Sequence, residues 1–395
     1  MRMNLERWLA FIPIVCVASA CRESTASGGS VRERWYQGQP GYGYARPATS
    51  GDLVFFGTGD GQVIARRQAT GAAVWTTKVA SQWIGGSIMI VRDGVLVVPI
   101  VQSTVGIDVA TGSQLWKYDA PVDTGAQTGP TPSPGQVFRT HLDSDPQTVF
   151  IPAWGASISA VDISTGAVRW IWEPGASATD TAAVRFRSGS EGARASGDTV
   201  FATAWHFLDR TGNSSEAWLV ALDRQTGREL WRFVVPTRYT GGAFVNGAPV
   251  VWGNLVIFES IGGHEYAVDR STQRLVWEHK PNTTNATEAE SELFGDIVYH
   301  DGGDGYIDAL RASDGSLVWR AAFGGMTTRD LLVTDRRVIF TDGGSLRVLD
   351  RATGREIVRL QQPRTSDSFF VSPAAYANGQ IFVTVGGAAW SFDEP

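Results

Sequence analysis

The sequence predicts an all-β protein, an eight-bladed β-propeller built of four-stranded antiparallel blades. Three observations carry that expectation. A tight turn followed four residues later by a tryptophan recurs along most of the chain. Short β-branched and aromatic runs precede each turn. The first and last segments each hold part of a unit that the other completes.

The recurring unit sets Thr70-Gly71 before Trp75, Thr111-Gly112 before Trp116, Thr165-Gly166 before Trp170 and Thr226-Gly227 before Trp231. Thr272-Gln273 then precedes Trp277, Asp314-Gly315 precedes Trp319, and Thr353-Gly354 precedes Val358. Self-similarity at a spacing of 39 to 61 residues marks a repeat array. Asp108, Asp162, Asp223, Asp269 and Asp350 stand four positions before the turn glycine or its Gln273 counterpart, with Arg67 and Arg311 in their place twice. A carboxylate there accepts hydrogen bonds from the turn backbone, and glycine supplies the left-handed conformation. Upstream lie Leu53 to Phe56, Val95 to Val98, Val200 to Phe201, Val256 to Phe258, Ile297 to Tyr299 and Val338 to Phe340, short apolar runs ending near Gly/Asp turns that predict strands. Nothing longer than a turn or two has helical character after residue 20. Four strands in about 40 to 50 residues make a propeller blade.

Seven such turns lie inside the chain. Trp35 stands 40 residues ahead of Trp75 with no turn of its own, and the stretch from Phe369 to Phe392 offers strands without a closing tryptophan. Together these ends make an eighth blade, which removes the exposed sheet edges. The composition of 45 Gly, 15 Trp and 19% charged residues suits such an array. Trp35, Trp75, Trp116, Trp170, Trp231, Trp277 and Trp319 are expected to fill the wedges between blades, with ligand stacking as the alternative.

The segments 160–170 (AVDISTGAVRW) and 221–231 (ALDRQTGRELW) resemble the tryptophan-docking repeat of PQQ-type eight-bladed propellers. The resemblance covers nearly everything after residue 33. It implies the fold; for function it implies less, because that family holds both quinoprotein dehydrogenases and non-catalytic scaffolds.

The N-terminus predicts the compartment. Arg2 and Arg7 precede an apolar run from Trp8 to Ala18, and Val17-Ala18-Ser19-Ala20 leads into Cys21. The run is short for a membrane span and ends at small residues, as in a signal peptide. Small residues before a cysteine resemble a bacterial lipobox, which implies that Cys21 is lipidated and begins the mature chain; ordinary signal cleavage is the alternative. The expected organisation is a signal peptide over 1–20, the lipidated cysteine and a flexible tether over 21–32, and the propeller over 33–395. Cys16 would leave with the signal, so the mature protein has no disulfide. Arg22 after the cysteine, by resemblance to Gram-negative sorting signals, implies the periplasmic leaflet of the outer membrane rather than the inner one. Loss of Arg2, Glu6 and Arg7 takes the net charge from −6 to −7, so nucleic acid is not an expected partner.

Three insertions break the repeat: long lead-ins to blades three and four, and a long B–C connection in blade four near Trp205 to Glu216. Strand directions alternate within a blade, so the short A–B and C–D turns share one face and the B–C and D–A loops share the other. All three insertions fall on the second face, a pattern that marks binding surfaces. Phe138, Arg139, His141, Arg185, Phe186, Arg187, Arg194, Trp205, His206, Phe207 and Arg210 are therefore the expected partner-binding residues, since aromatics beside arginine anchor protein interfaces. The alternative is that they only cover blade edges.

No catalytic set emerges. His141, His206, His264, His279 and His300 form no metal-like pair at short spacing, and no metal site is expected. Asp301-Gly-Gly-Asp304-Gly aligns with the hairpin Gly57-Thr-Gly-Asp60-Gly and is expected as a turn rather than a calcium loop. Glu288, Glu290, Glu292 and Arg329-Asp330 fall near the expected channel and suit ion pairs across it. The quinoprotein dehydrogenases that this repeat resembles use a vicinal disulfide and an acidic calcium site, and this chain has no cysteine pair to supply the first. No cofactor and no small-molecule substrate are expected. Signal, cysteine, tether and blades together resemble the B lipoproteins of the outer-membrane β-barrel assembly machinery, which implies a non-catalytic scaffold for protein partners at the membrane surface. An accessory subunit of a respiratory or photosynthetic complex and a PQQ-dependent oxidoreductase with an atypical site are the alternatives.

Overall fold

The computed structural model describes residues 23–25, 30–41, 43–82, 84, 88–100, 103–121, 142–153, 157–173, 188–207, 215–236, 245–260, 262–280, 291–301, 304–324, 330–342, 344–361 and 372–395. Eight antiparallel sheets stand in a ring, with strands A to D running outward from the centre. Seven blades are continuous in sequence, over 48–78, 90–119, 143–172, 188–234, 245–279, 292–322 and 332–361. The eighth takes strands A to C from Ala375–Ala377, Gln380–Val385 and Ala388–Asp393, and strand D from Ser30–Gly38. Trp35 lies opposite Ser391 and Tyr36 opposite Trp390 in that closure. A further strand, Glu23–Thr25, pairs outside Ser30–Gly38. Sheet thus extends into the segment expected as tether, because a short polar strand caps an otherwise open outer edge.

The faces follow from hydrogen bonding. In every blade the residue that opens the C–D turn, or its equivalent Glu394 at the chain end, donates its N–H to the A–B turn of the same blade, as in Gln68 to the Asp52 oxygen and Val109 to the Gly94 oxygen, 2.9 Å each. The B–C hairpins lie beside the D–A connections on the opposite face, where Val79 N bonds the Gly61 oxygen and Phe323 N the Gly305 oxygen. The cap aspartates close their turns: Asp108 Oδ1 accepts from Thr111 N at 2.7 Å, Asp162 Oδ1 from Thr165 N at 3.0 Å and Asp223 Oδ1 from Thr226 N at 2.8 Å. Where Arg67 and Arg311 stand instead, the backbone bonds Gly71 N to Arg67 O and Gly315 N to Arg311 O remain, so the carboxylate supports the turn without being required for it.

Each blade is fastened to the next by its outer strand. Every C–D pairing carries a bulge one residue before the tryptophan position, at Arg34, Val74, Leu115, Arg169, Leu230, Val276, Val318 and Ile357. The bulge turns the following ring inward, and the strand-C residue facing each tryptophan is small: Ala65, Gly106, Ala160, Ala221, Ala267, Ala309 and, opposite Trp35, Ser391. The ring then rests on the turn glycine of the next blade. A Cβ on Gly71, Gly112, Gly166, Gly227, Gly315 or Gly354 would lie 2.5–2.7 Å from Trp35, Trp75, Trp116, Trp170, Trp277 or Trp319 respectively. Each of those six indoles donates Nε1–H to a backbone oxygen of the next blade, of Gln68, Val109, Ile163, Arg224, Ala312 or Arg351, at 2.7–3.0 Å. The turn glycine is therefore needed twice, for its positive φ of 69–75° and for the absence of a side chain under the neighbouring ring.

Candidate functional site

Phe138, Arg139, His141, Arg185, Phe186, Arg187 and Arg210 lie outside the described residues, as does the lipidation candidate Cys21. The backbone of His206 and Phe207 runs in strand B of blade four, opposite Glu216 and Ser215. Two expectations need correction. Trp205 is only 4% exposed and packs in the core with Phe201, Leu219 and Tyr266, so it presents no surface to a partner. The insertion was read as loop, yet it lengthens strands B and C of blade four to nine residues each, Thr199–Phe207 and Ser215–Asp223, and regular alternation carries Trp205 inward. Arg194 lies in strand A at the channel wall rather than on a loop, donating from Nε to the Pro249 oxygen of blade five at 3.2 Å.

Among the described residues, the channel wall holds a long-range ion pair. Arg46, just ahead of strand A of blade one, meets Glu292 of strand A of blade six at 3.4 Å and also bonds the Ala374 oxygen of blade eight. The pair ties non-adjacent blades. Glu288, Glu290 and Arg329 lie outside the described residues, and Asp330 is 1% exposed. Among the described residues, nothing supplies the paired cysteines that the resembling dehydrogenases imply, since both cysteines precede the propeller, and Glu292 is engaged by Arg46.

A separate polar cluster fills the joint between blades five and six, near the loop face. Glu259, one residue from the end of strand B of blade five (Leu255–Ser260), faces Glu265, the second residue of strand C (His264–Asp269), across the hairpin. His300, near the end of strand B of blade six, reaches between them. Its Nδ1 lies 3.0 Å from Glu265 Oε2 and 3.5 Å from Glu259 Oε2, and all three side chains are at most 1% exposed. His300 Nε2 sits 3.0 Å from the Gly263 oxygen, and Ser291 Oγ donates to Glu265 Oε2 at 2.7 Å. Around this core, His279 Nε2 lies 2.9 Å from Asp308 Oδ2, Arg320 holds both Asp308 oxygens, and His264 Nδ1 lies 2.9 Å from Glu278. Burial pushes the Glu259 carboxyl up to about 8, against the pull of His300. Burial alone would lower the His300 imidazolium, but the Glu259 and Glu265 carboxylates outweigh it and raise its pKa well above the usual histidine value. Burial would likewise raise Asp308, yet His279 and Arg320 hold it below the usual carboxylate range.

Sequence spacing does not reveal this cluster, because its members are separated by six and 35 residues. Aligning the blades on their strand pairings exposes it. At the Glu259 register the other blades carry Gly57, Pro99, Pro152, Thr203, Asp301, Thr341 and Thr384. At the Glu265 register they carry Val63, Thr104, Ile158, Leu219, Ile307, Leu346 and Ala389, and at the His300 register Phe56, Val98, Ile151, Ala202, Phe258, Phe340 and Val383.

Ring, bulged docking tryptophans and cap turns define an eight-bladed propeller of the PQQ-like, tryptophan-docking repeat class. The sequence profile of the family described as outer membrane protein assembly factor BamB matches residues 25–207, 183–322 and 267–393, and the chain belongs to that family. It is 24% identical over 396 residues to outer membrane protein assembly factor BamB of Burkholderia pseudomallei, covering 97% of this chain and 89% of the relative. It also matches the quinohemoprotein alcohol dehydrogenase ADH IIB of Pseudomonas putida, at 27% identity over 29% of this chain, and the tetrathionate hydrolase of Acidithiobacillus ferrooxidans, at 24% over 62%. The chain spans only 19% and 46% of the length of those two enzymes. The crystal structure of BamB from Moraxella catarrhalis shares the fold, with a TM-score of 0.58 at 18% identity, covering 81% of this chain and 93% of that one.

Proposed function

We propose that this protein is a lipid-anchored, non-catalytic scaffold that holds protein partners on the periplasmic side of the outer membrane during assembly of β-barrel proteins. The observation that carries the reading is a family match running from residue 25 to residue 393, through every blade. The signal-like residues 1–20 and Cys21 supply the anchor in this reading, and the inserted loops of blades three and four supply the docking face. The two enzyme relatives matched in sequence argue less, since the chain spans under half of the length of each; likeness to solved alcohol and methanol dehydrogenases at 11–12% identity speaks for the fold alone.

Affinity capture of the full-length protein from native membranes, read by mass spectrometry, tests the reading. Outer-membrane assembly components are the expected captives. Recovery of respiratory or photosynthetic subunits instead, or stoichiometric PQQ binding with dye reduction once PQQ and calcium are added, would overturn it. Cys21→Ser should release the protein from the membrane fraction, and Ala at Arg185, Phe186 and Arg187 together should weaken capture with little change in Tm. Equal loss of capture and of Tm would mark that segment as structural.

A further inference from the structure

We propose that Glu259, Glu265 and His300 form a buried binding site for one divalent transition-metal ion of the zinc type, clasping blade five to blade six. The repeat itself is the control. The other blades build the Glu265 register with apolar or small residues and the His300 register with apolar ones, so the fold asks for neither a carboxylate nor an imidazole there. Two carboxylates and an imidazole taken wholly out of water are costly unless something compensates their charge and lone pairs.

The lone pairs point to a cation. One ligand atom from each of the three residues lies within 4.8 Å of the other two. Among the described residues, Glu259 Oε1 and Glu265 Oε1 are buried without a hydrogen-bond partner, and His300 Nδ1 and Glu259 Oε2 face only one another and Glu265 Oε2, at 3.5 and 3.0 Å from Nδ1. A bound cation would displace the Nδ1 proton that the carboxylates favour in its absence; His300 then keeps the Nε2 proton, donates it to the Gly263 oxygen and turns the Nδ1 lone pair toward the carboxylates. That bond to the second nitrogen is what orients a ligating histidine, and the Ser291 hydroxyl plays the same part for Glu265. A doubly charged cation between two carboxylates leaves the buried group neutral overall. The donor set of one nitrogen and two carboxylates suits zinc and its first-row neighbours; calcium and magnesium take oxygen alone, and thiolate-preferring ions find no sulfur here.

The test uses the full-length protein, purified and treated with chelator, then incubated with Zn2+ and desalted. Elemental analysis should find about one equivalent of zinc per chain. Co2+ loading should give the visible absorption of a low-symmetry site, and zinc should raise Tm by several degrees. The double change Glu265→Ile with His300→Phe installs residues that other blades already use at these registers, so it should fold, bind no zinc and show no Tm response. Glu259→Gln should weaken retention by tenfold or more, as loss of a charged ligand does. Wild-type protein that keeps well under one equivalent and has a Tm indifferent to zinc would overturn the proposal and leave a proton-sharing cluster. So would a double variant that binds as much as the wild type. If the double variant does not fold, stoichiometry and the cobalt spectrum of the wild type still decide.

Discussion

Six joints of the ring and the remaining two are built differently, and the contrast explains the defects in the repeat. At six joints an indole lies on the turn glycine of the next blade and donates to its backbone. Between blades four and five, Gln273 stands where the glycine would be, held at a φ of 60°, and Trp231 makes no such bond to the described residues. Between blades seven and eight, Val358 replaces the tryptophan, and the next blade has no C–D turn of the repeat kind because its strand D is Ser30–Gly38, distant in sequence from strand C, Ala388–Asp393. The missing tryptophan is matched by the missing turn of the adjacent blade, and the missing glycine by the lost docking bond of Trp231. The functional unit is thus not one repeat but the seam between two: tryptophan from one, glycine from the next.

The largest expected effect separates these seams. Trp170→Ala removes a buried indole, its 2.9 Å bond to Arg224 and its seat on Gly227, and should cost about 3–5 kcal/mol. Trp231→Ala removes a half-buried ring with no such bond and should cost about 2 kcal/mol or less. Equilibrium denaturation of both variants checks the order, and equal losses would break the distinction between the seams.

A smaller pair of changes exchanges the seams at the turn. Gly227→Ala sets a Cβ 2.5 Å from the Trp170 ring at a φ of 70°, and should cost about 2 kcal/mol. Gln273→Gly relieves a left-handed non-glycine residue and clears room for Trp231, for a net gain of about 0.5–1 kcal/mol. A loss on Gln273→Gly would mean that the glutamine side chain itself stabilises that joint.

The eight blades and their closure were legible because the period is printed in the chain: Asp162, Thr165, Gly166 and Trp170 repeat in register with Asp223, Thr226, Gly227 and Trp231. The second role of the glycine was not legible, since Gly227 meets Trp170 of the preceding blade while local order pairs it with Trp231. The insertion near Trp205 misled for a related reason. Extra length does not say whether a hairpin lengthens as strand or as loop, and only the inward side chain of Trp205 tells them apart. Glu259, Glu265 and His300 escaped a search for short ligand spacings because a joint between blades gathers residues from two repeats, and register rather than distance along the chain brings them together.

The smallest expected effect lies on the turn face, in the cap aspartates. Hydrogen bonds from the Arg169 side chain and from Ser164 and Thr165 hold the Asp162 carboxyl well below its ordinary value, and Thr111 and Thr226 lower Asp108 and Asp223 in the same way. A folded-state pKa below the unfolded one means that the stabilisation is present above the unfolded carboxylate value, near 4, and fades as pH falls through the folded value. Blade one has Arg67 at this position, so its turn lacks the cap carboxylate and should not respond in this way. Asp162→Asn should therefore lower Tm slightly at pH 7, with the gap to wild type closing as pH drops below about 4. These carboxylates are solvated, so the gap should also narrow in high salt. A gap that stays constant from neutral pH into acid would show that the Asp162 side chain acts through turn geometry alone and not through its charge.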